Sequence, residues 1–423
     1  MRIYEIKGGK PLKGEVKISG AKNAALPAIA ATLLARGVFK LESVPRVRDV
    51  FCMLEILKHL GGKYKFEDHT LLVDTTSIRD TVVPYKLASK IRASILFMGA
   101  LVGAFKEGTV PLPGGCKIGK RPVNFHISGL TKLGAEICLD HGNLVLKARR
   151  LKGRELVLDF PSVTATENLM MAAALAEGET LIKGAAREPE VVFLGEMLKR
   201  MGAEVKWISE DTICIKGKKN LNPCEIEIIP DRIEAGTFLV LGALHKNNRI
   251  FLRNLPIEYL ETPLLKLKEI GVKLKKQGEA FLVKRKKELS PVRIITQPYP
   301  GFPTDLQPIF AVLLLQAKGI SKITETLFEN RFLYVYELNR MGAGIELEER
   351  SILIKGPVKL VGSPVKATDL RAGAALVLAG LSAENTTQIY EIHLIERGYE
   401  NLVEKLQTLG ADISVKTLNP DES

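Results

Sequence analysis

The sequence is short of several things that would each announce a function. It has one tryptophan, and aromatic residues make up only 6% of the chain. No RNP-like aromatic motif and no zinc-finger spacing occurs, so the usual nucleic-acid readers are not indicated. The five cysteines, Cys52, Cys116, Cys138, Cys214 and Cys224, form no CxxC pair, which argues against a zinc site and against a disulfide framework. No stretch reaches the roughly eighteen apolar residues of a membrane helix. The N-terminal text MRIYEIKGGK reads as a strand and lacks the apolar core of a signal peptide, so a cytoplasmic location is expected. Basic residues never run five in a row; the longest cluster is Lys284-Arg285-Lys286-Lys287. Such short clusters are solvated faces and do not form a polyanion track.

What is present is a long globular chain with an excess of positive charge. It has 423 residues, of which 46% are hydrophobic and 26% charged, with a net charge of +13. That length exceeds one ordinary core and implies two domains. Such an excess of positive charge suits either nucleic acid or a small substrate carrying several negative charges. Lysine and glutamate outnumber asparagine and glutamine, a composition associated with heat adaptation.

One phrase occurs six times: an apolar-periodic helix, a hydrophobic residue, a glycine, then alternating strand-like text. The copies are LEILKHLGGKYKF, LTKLGAEICL, LGEMLKRMGAEVKW, LLKLKEIGVKLKK, VYELNRMGAGIEL and LVEKLQTLGADISV. Their glycines, Gly61, Gly134, Gly202, Gly271, Gly342 and Gly410, recur at intervals of 68 to 73 residues. The spacing of Leu54, Leu57 and Leu60 predicts a helix with one buried face. A glycine there predicts a left-handed helix end, and the alternation after it predicts a hairpin, turning at Glu67-Asp68-His69 in the first copy. Upstream of each copy lies a more uniformly apolar helix followed by another strand. Such units bury their faces only against neighbours. Three per domain predicts an α/β protein of two similar lobes around a cleft, dividing where Pro230 interrupts the pattern. Residues 22–229 form one lobe, and residues 1–21 with 230–423 form the other. Both termini read as edge strands, the N-terminal one returning to the second lobe.

Polar residues gather where these apolar helices begin. In ISGAKNAALP, Lys22 and Asn23 precede a helix whose free N–H groups suit an anion; the plainer alternative is that Asn23 caps it. In LPGGCKIGKRP, Cys116 follows two glycines and precedes Lys117, Lys120 and Arg121, and nearby cations favour a reactive thiolate. Pro122 suits a first helical turn, and Arg92 also stands at a helix start. In PGFPTDLQP, Asp305 meets a buried helix as a cap, unless Thr304 fills that role, or as a proton acceptor for a substrate hydroxyl. Arg331, Arg371 and Arg397 occupy similar places, with Asp369 next to the second; each is either half of an ion pair or a partner for phosphate and carboxylate.

The segments ISGAKNAALP, PGGCKIGKRPVNFHISGLTKLGA, AEGETLIKGAAREPEV, IIPDRIEAGTF, PGFPTDLQP, TETLFENRF, TDLRAGAALVLAGL and ERGYENL together resemble the UDP-N-acetylglucosamine enolpyruvyl transferases, within the enolpyruvyl transferase family. The resemblance spans essentially the whole chain. It implies an inside-out α/β barrel of two lobes with three repeats each, and transfer of the enolpyruvyl group of phosphoenolpyruvate to the 3-hydroxyl of UDP-N-acetylglucosamine, the first committed step of peptidoglycan synthesis. By resemblance Cys116 is the acid and Asp305 the base. Lys22, Arg121 and Arg397 bind the phosphate and carboxylate of phosphoenolpyruvate, and Asn23 orients substrate. Arg92, Pro122, Val123, Asn124, Phe125, Ser162, Val163 and Leu327 hold the UDP-sugar, and Arg331, Asp369 and Arg371 help assemble the closed site. The expected partners are these two small molecules, with no metal or other cofactor, no nucleic acid, no membrane and no obligatory protein partner. Fosfomycin, which targets this family, is expected to alkylate Cys116, and relatives with aspartate there resist it. Two departures affect nucleotide contacts: Asn124 stands where many members have aspartate, and Phe160-Pro161-Ser162-Val163-Thr164 differs from the usual text. The rivals are the sister enzyme that makes 5-enolpyruvylshikimate 3-phosphate and, from another class, an RNA-binding protein on the related repeat fold.

Overall fold

The six recurring glycines all adopt the left-handed conformation. In the computed structural model, which describes residues 1–113, 118–119 and 122–418, their φ angles lie between +87° and +110°. A side chain is strained at such an angle, so glycine lets each helix stop and the chain turn back. The helices that stop there are Arg48–His59, Asn124–Lys132, Pro189–Arg200, Glu261–Ile270, Tyr334–Arg340 and Leu402–Thr408. After each glycine comes a strand, and in five copies a hairpin follows. In the first copy Lys63–Glu67 pairs with Thr70–Asp74, turning through Asp68 and His69.

The sixth copy has a single strand, Asp412–Thr417, and no second hairpin strand of its own among the described residues. Its antiparallel partner is the N-terminal strand Arg2–Lys7, which pairs on its other side with Thr386–Tyr390. The N-terminal strand is therefore internal to its sheet, whereas the sequence reads it as an edge. An open strand leaves a row of backbone donors and acceptors unpaired, and the chain's first residues satisfy them.

The chain divides into two compact units. Among the described residues, one comprises 20–113 and 122–229, and the other comprises 1–19, 118–119 and 230–418. Each holds three sheets. Five of the six sheets share one strand order: a parallel edge strand, the strand after the apolar helix, then two antiparallel strands, which are a hairpin in four of them and Arg2–Lys7 with Asp412–Thr417 in the fifth. The sixth has three strands, and Val82 supplies a parallel bridge to Thr109 at the place of the missing edge strand. In the second unit the N–H of Asn330 donates to the carbonyl of Ile118 (3.0 Å).

Each unit has its own apolar core. The more uniformly apolar helices run through it: Lys22–Ala31, Phe97–Phe105 and Val163–Ala173 in one unit, and Arg232–Leu244, Gln307–Leu314 and Leu370–Ser382 in the other. Buried on nearly every side, they have no polar face to show water. Packing is close enough that a Cβ on Gly99 would lie 2.1 Å from the carbonyl oxygen of Asn168. No helix among the described residues is long and apolar enough to cross a membrane.

Candidate active site

The two units treat the starts of their buried helices in opposite ways. In the unit of residues 20–229, the helix Lys22–Ala31, the 3-10 turn Arg92–Leu96 that leads into Phe97–Phe105, and the helix Val163–Ala173 have no acidic residue in the first turn and no side-chain cap. Asn23 is thus not a cap; it lies half-buried in the first turn, after Ala21 at the cap position. Ser162 occupies a cap position, but its hydroxyl makes no capping bond. Lys22 is buried, and its ammonium reaches Asp49 Oδ2 at 3.1 Å. Uncapped helix starts beside a lysine make a region suited to anions.

Pro122 does not enter the first helical turn. The helix is Asn124–Lys132 with Val123 at the cap, so exposed Pro122 stands one residue before it. Val123 and Phe125 are half-buried, Asn124 is exposed, and Arg92 and Val163 are half-buried. Cys116 and Arg121 lie outside the described residues.

In the other unit three aspartates, Asp231, Asp305 and Asp369, stand where the buried helices begin. Asp231 accepts from the N–H groups of Ile233 and Glu234 (2.8 and 2.9 Å). Asp369 accepts from those of Arg371 and Ala372 (2.8 and 3.1 Å). These two carboxylates are committed as caps. Neither Thr304 nor Asp305 caps its helix: the short 3-10 turn Thr304–Leu306 has no side-chain cap, and the Thr304 hydroxyl donates to Glu325 (2.8 Å). Asp305 takes its contacts from two arginines instead, Arg331 Nη2 at 2.8 Å and Arg371 Nε at 3.0 Å. Both guanidinium side chains are 2% exposed, against 29% for the Asp305 side chain.

The arrangement is thus a solvent-reaching carboxylate on a buried cationic base. Burial opposes the charge of Arg371, but Asp305, Tyr399 and Asp231 outweigh it and hold the guanidinium above its ordinary value. For Arg331 burial is likewise outweighed, by Asp369, Asp305 and Glu325. A carboxylate is an acceptor only, and the Asp305 side chain reaches solvent, so a hydroxyl proton is within its chemistry. Glu325 also accepts from the backbone of Leu327 (2.8 Å), so one buried carboxylate positions both Leu327 and the residue before Asp305. Arg397 ends the 3-10 turn Ile392–Arg397 and is half-buried.

Comparisons with known proteins give the chain's family. The model of the family described as EPSP synthase (3-phosphoshikimate 1-carboxyvinyltransferase) matches residues 6–406. A UDP-N-acetylglucosamine 1-carboxyvinyltransferase 1 from Carboxydothermus hydrogenoformans is 51% identical over 422 residues, covering 100% of both chains. The chain belongs to the enolpyruvyl transferase family. Another member, a UDP-N-acetylglucosamine 1-carboxyvinyltransferase from Halothermothrix orenii, is 48% identical over 98% of this chain and 99% of its own. Among solved enolpyruvyl transferase structures, NikO from Streptomyces tendae superposes with a TM-score of 0.90 at 25% identity, covering 99% of each chain. An EPSP synthase from Acinetobacter baumannii gives 0.77 at 18% identity, covering 99% of this chain and 100% of its own, a likeness of α/β fold alone.

Within this family member, several buried polar residues lie outside the set that the sequence singles out. Asp49 lies on the buried face of Arg48–His59, and Asn168 interrupts the run LMMAAAL at its upstream end. A polar residue at a buried helical position is the signal that finds both. Glu167 is another. Burial, then the charges of Glu190 and Glu188, push its carboxyl well above its ordinary range, so the fold favours its protonated form. The unfolded chain releases that proton near pH 4.5. Above that pH and below the folded value, the native state therefore holds one more proton, and stability falls by about 1.4 kcal/mol per pH unit. Glu167→Gln is expected to remove this slope and to raise the melting temperature more at pH 8 than at pH 5; equal shifts at both would contradict it.

Proposed function

We propose that this enzyme transfers the enolpyruvyl group of phosphoenolpyruvate to the 3-hydroxyl of UDP-N-acetylglucosamine, with release of phosphate, as the first committed step of peptidoglycan synthesis. The observation that carries the reading is Asp305: of three aspartates at equivalent helix starts, it is the one hydrogen-bonded to two buried arginines. Full-length identity to relatives named for this reaction supports the substrate pair.

In the addition step Asp305 accepts the proton of the sugar hydroxyl while the sugar oxygen bonds to the central carbon of phosphoenolpyruvate. Cys116 delivers a proton to the methylene end of the double bond. The tetrahedral adduct then loses phosphate and a methyl proton, which restores the vinyl group. Lys22, Arg121 and Arg397 hold the phosphate and carboxylate and offset the charge that develops as phosphate leaves. Asn23 orients the reacting groups. Arg92, Pro122, Val123, Asn124, Phe125, Ser162, Val163 and Leu327 hold the nucleotide sugar. Arg331, Arg371 and Asp369 set the carboxylate of Asp305. The reading includes the family's inside-out barrel, with lobes of residues 22–229 and of 1–21 with 230–423, and a cytoplasmic location.

Phosphate release in the presence of both substrates, and its loss when either is omitted, tests the proposal. Release with shikimate 3-phosphate in place of the UDP-sugar, and none with the UDP-sugar, would overturn it in favour of the sister reaction.

A further inference from the structure

The imidazole of His126 lies 2% exposed in the unit of residues 20–229, in a polar network that none of the proposed substrate contacts uses. Its Nδ1 is 2.8 Å from Asn168 Nδ2, and its Nε2 is 3.3 Å from Thr164 Oγ1. The Asn168 amide is fixed by two backbone groups of known polarity. Its oxygen accepts from the N–H of Gly99, and its nitrogen donates to the carbonyl of Ile95 (3.0 Å). The second amide hydrogen must then point at His126 Nδ1, which can only accept it. The ring is therefore neutral with its proton on Nε2, directed at Thr164. A proton on Nδ1 would set donor against donor. Burial and the charge of Arg92 act in the same sense and lower the imidazole pKa to about 3.

Three chain segments meet at this pair. His126 is two residues beyond Asn124 on its helix, Thr164 follows Ser162 and Val163, and Ile95 and Gly99 follow Arg92. These segments carry all of the proposed UDP-sugar contacts except Leu327. We infer that His126, joined to Asn168, is a positioning residue that holds the starts of three helices in register for the nucleotide sugar. The inference rests on the proposed function. It assigns His126 no contact with substrate and no proton transfer. Because the ring does not change charge between pH 5 and 8, the register it sets is the same across that range.

Two variants separate positioning from packing. His126→Phe keeps a planar aromatic ring, somewhat larger than imidazole, and strands the Asn168 donor; the KM for UDP-N-acetylglucosamine is expected to rise about tenfold, with the KM for phosphoenolpyruvate within twofold of wild type. His126→Asn places an amide oxygen where Nδ1 was and is expected to restore the UDP-sugar KM to within threefold. An unchanged UDP-sugar KM in His126→Phe, or equal rises in both KM values that His126→Asn does not correct, would overturn the inference. A measurement on the unaltered protein stands apart from folding of the variants: histidine-selective NMR is expected to show His126 as the Nε2–H tautomer throughout pH 6 to 8, and an Nδ1–H tautomer or a titrating ring would equally overturn it. If the wild-type protein releases no phosphate from its two substrates, the functional reading fails first and takes this inference with it. Normal wild-type turnover with an unaffected His126→Phe variant defeats the inference alone.

Discussion

Asp305→Ala is expected to bind both substrates and to turn them over about a thousandfold more slowly than wild type. A positioned general base contributes roughly 10²- to 10⁴-fold, and Asp305 is, of the three aspartates at the buried-helix starts, the one hydrogen-bonded to two buried arginines. Removing it has a second effect, because the side chains of Arg331 and Arg371, each 2% exposed, lose a counter-charge. Loss of one partner from a buried ion pair costs about 3–5 kcal/mol, so the alanine variant is expected to melt earlier. Asp305→Asn separates the two effects. Its amide oxygen still accepts from one guanidinium but is no base, so turnover should stay as low as in Asp305→Ala while part of the stability returns. Isothermal titration with the UDP-sugar, phosphate release and a melting curve measure the three quantities. Turnover within tenfold of wild type in both variants would remove Asp305 from the mechanism.

The second large effect is at Cys116. Cys116→Ser is expected to lose about a thousandfold in turnover, because a serine hydroxyl is too weak an acid to replace the thiol as proton donor. UDP-sugar affinity should stay within threefold. Cys116→Asp is expected to remain active and to resist alkylation by fosfomycin, since a carboxylic acid donates a proton but offers no thiolate. The pH profile should move with it. An acid works only while protonated, and an unperturbed aspartic acid ionises near pH 3.9 against about 8.5 for a thiol. The alkaline limb of activity is therefore expected at lower pH in Cys116→Asp than in wild type. A folded, substrate-binding but inactive Cys116→Asp would show that position 116 is not the acid.

The candidate site was legible in the sequence to different depths. Asp305, Arg331 and Arg371 stand out in linear text because charged residues flank apolar runs, but that text offers cap, ion pair and substrate contact as equal outcomes. The pairings that decide among them span 26 residues for Asp305 with Arg331 and 66 for Asp305 with Arg371. Lys22 with Asp49, 27 apart, and His126 with Asn168, 42 apart, are of the same kind. Asn23 and Pro122 illustrate the reverse. Each suits a helix start by type, and each sits one or two positions from the place that type suggests, because the helix begins where packing against its neighbours begins.

The sequence by itself determined the sixfold repeat, the six left-handed glycines and the family resemblance. These depend on backbone angles, on the spacing of apolar residues along a few turns, and on text that can be matched segment by segment. The tertiary structure alone decided which aspartates cap helices and which one meets two arginines, which histidine is locked as a neutral acceptor, and that the first strand of the chain completes the last sheet. Those outcomes depend on groups distant in sequence, and a carboxylate or imidazole takes its role from the donors that folding brings within about 3 Å of it.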